Sequence, residues 1–151
     1  FFATVSSRMV GIVGSSNNPV SGMAIATLLF ATLCLKVTGD VGVHGMKGAI
    51  GIGSVICIIA AMAGDTSQDL KTGYILGATP KKQQIGELLG AVIAALTIGG
   101  VLVLLDSAWG FGTTELAAPQ ATLMKTIVEG VMQGNLPWAL VFIGVFIALV
   151  I

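Results

Sequence analysis

Charge is what this sequence has least of: 9% of its 151 residues are Asp, Glu, Lys or Arg, against about a quarter in a typical soluble domain. The seven basic and seven acidic residues cancel, so no basic surface exists to hold nucleic acid. There is one histidine, His44, with no Cys, Asp or Glu at zinc-ligand spacing, which argues against a metal site built by this chain. The two cysteines, Cys34 and Cys57, lie inside apolar runs and read as buried free thiols rather than a disulfide. No Ser-His-Asp set, HExxH, Walker A or paired-cysteine motif occurs, so the chain is not expected to be an enzyme or to carry a cofactor. A basic, apolar and small-residue signal pattern is also missing.

What remains is grease and glycine. Hydrophobic residues make up 55% of the chain and the mean hydropathy is +0.98. A water-soluble fold of this size leaves too much of its surface exposed to hide so many apolar side chains. Lipid is the natural solvent, and the expected fold is all-α: a polytopic transmembrane helix bundle with broken or re-entrant helices.

About 20 mostly apolar residues cross a bilayer. Candidate spans cover residues 20–37, 46–64, 85–105 and 136–151, the last too short to cross. Residues 1–14 read as the tail of an earlier helix, and 117–133 as a short amphipathic segment. The chain opens on Phe1 and ends in apolar sequence, so an internal piece of a longer protein is expected. Many of the 21 glycines are read as places where helix backbones pack closely. Lys71, Lys81 and Lys82 face Lys36 and Lys47 across the membrane, a difference too small to orient the chain.

Two polar interruptions carry the functional reading. Ser15, Ser16, Asn17, Asn18 and Pro19 break the apolar run. Proline cannot donate and biases Asn18 away from helical angles. In hydrocarbon such a break survives only against protein or a water-filled cavity, and transporters use breaks of this kind to hold substrate. The alternative is an N-cap and turn at the membrane surface, with Asn18 capping and Pro19 first in the helix. The second interruption, residues 65–84, holds Asp65, Gln68, Asp69 and Lys71. Asp65 and Asp69 are four apart and share a helix face, and close carboxylates raise one another's proton affinity. They are candidate proton acceptors, with Gln68 and Lys71 as their expected partners; a solvated interfacial loop is the alternative. Glu87 sits one turn into the third span, and Lys125 with Glu129 have pairing distance on a helix.

Three blocks, GIVGSSNNPVSGMAIATLL (11–29), AGDTSQDLKTGYILGATPKKQQIGELLGA (63–91) and APQATLMKTIVEGVM (118–132), together resemble the oligopeptide transporter family, which includes the yellow-stripe-like carriers of metal chelates. The resemblance implies a carrier longer than this chain, driven by proton symport. It implies a small peptide or metal-chelate substrate, membrane lipids and the rest of the same transporter as partners, and a bacterial inner membrane. Ser15, Ser16, Asn17, Asn18 and Gln68 are then candidate substrate-binding residues, and Asp65, Asp69 and Lys71 candidate proton-coupling residues. The Asn-Pro-Gly and Lys-Ile-Pro-Pro-Arg motifs of the eukaryotic peptide branch do not occur, which leaves peptide and chelate both open. A channel and a membrane-embedded scaffold subunit are the alternatives to a carrier.

Overall fold

The computed structural model describes residues 1–150, and all six of their longer helices are punctuated by proline and glycine. Helix α1 (Phe2–Val13) stops at Gly14, whose φ of 85° few other residues tolerate. One 3-10 turn, Ser15–Asn17, leads to α2 (Val20–Thr38), which ends on a left-handed Gly39. Helix α3 (Val43–Leu76) ends the same way at Gly77. Helices α4 (Pro80–Trp109) and α5 (Pro119–Gln133) each begin with proline, which needs no helical donor there. The last described helix, α6, is Trp138–Val150.

Three stretches are long and apolar enough to cross a membrane: Ser15–Thr38, Val43–Leu76 and Pro80–Trp109. The expected span 46–64 is the apolar part of α3, which continues without interruption to residue 76. Its 34 residues measure about 51 Å at 1.5 Å per residue, well beyond a hydrocarbon core about 30 Å thick. Residues 65–84, set apart by their polarity, are therefore not a loop; only 77–79 leave the helix. Ser67, Gln68 and Lys71 find hydrogen-bond partners on α1 and the turn after it.

Helix α3 packs against α1, α2, α4 and α5. Its buried positions are small: Gly45, Ala49, Gly53, Ala60, Gly64 and Gly73. Small residues let backbones approach where side chains would hold them apart. A Cβ on Gly53 would lie 2.6 Å from Leu28 Cδ2, so α2 rests directly on that backbone. Leu28, Ala49 and Val128 form the buried centre where α2, α3 and α5 meet, with Met46, Met124 and Met132 around it. Gly48 and Gly51, by contrast, stand exposed.

Helix α4 packs on the polar end of α3 and buries none of its own residues; α6 likewise buries none. Both cysteines are free, but neither is buried as expected: Cys57 is half-buried and Cys34 exposed. Its side of α2 has no described element against it, since α3 and α5 occupy the other faces.

Candidate functional site

The break between α1 and α2 is built against one face of α3. Residues 60, 64, 67, 68 and 71 recur at helical spacing, and each meets α1 or the turn after it. Ser6, fully buried, donates from Oγ to the Ala60 carbonyl at 2.5 Å. Ser67 donates to the Ser7 carbonyl at 3.0 Å, and Lys71 Nζ to the Gly11 carbonyl at 2.6 Å. Gln68 Oε1 accepts the Ser15 backbone N–H at 2.5 Å. Backbone groups released where α1 stops thus find side chains on α3, as an interrupted helix in lipid requires.

Asn18 does not cap α2. The cap position is Pro19, with no side-chain bond to the helix. Instead Asn18 Nδ2 donates to Ser6 Oγ at 2.7 Å, reaching across the break to α1. Its own Oδ1 is buried and has no partner among the described residues. Gly64 makes this approach possible, because a Cβ there would lie 2.9 Å from Ser6 Oγ and 3.0 Å from a Val10 methyl. Asn17 and Ser16 are exposed, and Asn17 Nδ2 folds back on the Val13 carbonyl at 3.1 Å.

Asp65 and Asp69 lie on the other side of α3, toward α4. They line a cavity of about 210 Å3 that also touches Glu87. A second recess of about 300 Å3 continues past Asp69 and Glu87 to Gln83. Gln83 Nε2 donates to the Asp69 carbonyl at 3.2 Å, and the tight turn at 77–79 is what brings α4 this close. Glu87 Oε1 and Gln83 Oε1 are buried without a partner among the described residues. No group of His, Cys, Asp and Glu among the described residues is arranged to hold a metal ion.

The expected grouping is therefore split. Ser15, Asn18 and Gln68 come together, and Asp65 shares its groove with Asp69. Gln68 and Lys71, expected to partner the two carboxylates, face α1 instead. The reason is angular: at about 100° per residue, 68 and 71 point roughly 80° and 140° away from the direction that 65 and 69 share. Ser6, Ser7, Gly64 and Gln83 were not singled out by the sequence. The adjacent serines in the mostly apolar α1 were the one available signal for the first pair, and Gln83 lies four residues before Glu87.

Compared with known proteins, residues 1–151 match the family described as OPT oligopeptide transporter protein. A putative oligopeptide transporter of Haemophilus influenzae is 35% identical over 164 residues, covering 96% of this chain and 26% of that protein. A putative oligopeptide transporter of Saccharomyces cerevisiae is 32% identical over 122 residues, covering 80% of this chain and 16% of its own. A probable metal-nicotianamine transporter of Arabidopsis thaliana is 31% identical over 94 residues, 58% of this chain and 13% of that one. The chain thus spans about a quarter or less of these relatives. No solved structure gave a significant match.

Proposed function

The chain belongs to the oligopeptide transporter family, and on that premise we propose that the full-length protein is a proton-coupled secondary transporter. It takes up small oligopeptides or metal-chelate complexes, and it resides in a bacterial inner membrane. The family and the apolar helices make it a multi-pass membrane protein; the coupling, the substrate and the compartment are the proposal.

The observation that carries the reading is the buried, unpartnered Oδ1 of Asn18 beside a helix break. An amide oxygen left without a donor in a low-dielectric setting costs about 1–3 kcal/mol. A substrate N–H relieves that cost when bound, which makes occupancy favourable at this point. Ser15, Ser16 and Asn17 offer further hydroxyl and amide groups along the same turn, and Gln68 fixes the turn to α3.

Asp65 and Asp69 act as the proton acceptors on the opposite face of α3, where Glu87 shares their groove. Lys71 and Gln68 tie the broken segment to the helix that bears the carboxylates. One rigid element thereby feels both events: protonation on one face, substrate on the other. Movement of that element between two packed arrangements gives alternating access.

The test is uptake by the full-length protein in proteoliposomes, comparing a tripeptide with a ferric chelate under an inward proton gradient. Saturable uptake of either class, abolished by a protonophore, is expected. Uptake of neither, or flux that ignores the gradient and does not saturate, refutes the reading, the latter in favour of a channel.

A further inference from the structure

A separate recess lies where α5 meets the start of α3. Its volume is about 260 Å3. Val43 and Met46 from α3 and Val128 from α5 give it apolar walls, and three charged residues face it: Lys47, Lys125 and Glu129. Lys125 Nζ and Glu129 Oε1 are 3.8 Å apart with both side chains partly exposed, a loose pair rather than a closed salt bridge. Lys47 has no hydrogen-bond or ion-pair partner among the described residues. The neighbouring Lys36 is committed elsewhere, donating to the Val131 carbonyl at 2.6 Å.

Two ammonium groups therefore face one carboxylate across apolar walls. Both ammonium groups are exposed, and two cations beside apolar walls with one carboxylate between them draw a further anion. The fixed charges also have an order. The two cations sit on opposite walls of the recess, one on α3 and one on α5, and the anion lies one helical turn from the second.

We propose that this recess binds the carboxylate of a small solute, such as a peptide's C-terminal one, with Lys47 and Lys125 taking the carboxylate and Glu129 positioning Lys125. The volume admits one terminal residue or a compact carboxylate, not a whole peptide. The site is distinct from the helix break: Lys47 lies about 25 Å along α3 from Gly64 at 1.5 Å per residue. It collects ligand at the other end of the spans. The proposal leans on the transport reading only for why a carboxylate-bearing solute would be present.

The test uses the full-length protein with Ile50, a wall of the recess and partly exposed, changed by Ile50→Cys as the sole cysteine. Labelling of position 50 by a maleimide is timed in phosphatidylcholine vesicles with trialanine, trialanine amide, citrate or inorganic phosphate. Trialanine or citrate is expected to slow labelling about threefold at twice its Kd, trialanine amide to have no effect, and Lys47→Gln or Lys125→Gln to remove the protection. The proposal is overturned if no carboxylate protects better than the amide, or if protection survives both substitutions. It is equally overturned if only phosphate, or phosphatidylglycerol added to the vesicles, protects, since the recess then serves lipid headgroups. Uptake measured in the same vesicles is independent: protection without transport spares this site and removes the transporter reading.

Discussion

Ser6 stands between Asn18 and Ala60, accepting from the Asn18 amide at 2.7 Å and donating to the Ala60 carbonyl at 2.5 Å. One buried hydroxyl thus joins α1, the break and α3. Because the buried hydroxyl serves as donor and acceptor at once, removing it strands both the Asn18 amide and the Ala60 carbonyl.

Ser6→Ala is expected to cost about 1–3 kcal/mol of stability, since it leaves the Asn18 amide without its acceptor. Asn18→Ala is expected to cost less when made in that background than alone, because the two side chains share one bond. Thermal unfolding of the detergent-solubilised full-length protein, run as a double-mutant cycle, checks this. Additive effects would show that the hydroxyl and the amide act independently.

Gly64→Ala adds a methyl where Ser6 Oγ and a Val10 methyl already sit within 3.0 Å. Overpacking of this kind costs about 1–3 kcal/mol, so the apparent Tm should fall. Gly51→Ala on the same helix meets nothing within 4 Å and should leave Tm unchanged or slightly raised. Equal effects of the two would mean that α1 does not press on α3 at this point.

Asp65→Asn and Asp69→Asn address the proposed coupling. Gradient-driven uptake should drop by about tenfold or more, equivalent to about 1.4 kcal/mol on the barrier. Exchange of labelled for unlabelled substrate, which needs no net proton movement, should persist. Retention of full gradient-driven uptake by both variants removes the carboxylates from the mechanism.

Lys36→Met removes the ammonium held on the Val131 carbonyl at the last turn of α5. A charge-assisted bond of this kind contributes about 1.5–3 kcal/mol, and cations suit helix C-termini. Amide hydrogen exchange should accelerate in α5 while α1 stays protected. Uniform acceleration throughout would instead point to global destabilisation.

Much of the architecture was legible. Apolar runs announced helices, Pro19 and its polar neighbours announced a break, and Lys125 with Glu129 announced a pair that is present at 3.8 Å. The polar stretch 65–84 misled, because polarity alone does not distinguish a solvated loop from a helix whose polar side chains find distant partners. Asp65 and Asp69 share a side as their spacing requires. Their company does not follow from spacing: Glu87 and Gln83 arrive through the turn at 77–79, and Gln68 and Lys71 are drawn to α1.

The chain alone determined its solvent, its helical state and the location of its interruptions, since these depend on composition, proline and glycine read locally. Tertiary structure decided which atoms answer one another: Lys71 with Gly11, Gln68 with Ser15, Ser6 with Ala60. Those partners lie more than 50 positions apart, and a helical face acquires its role only when another helix is packed against it. Hydrophobic periodicity is a property of one segment; satisfaction of a buried donor is a property of two.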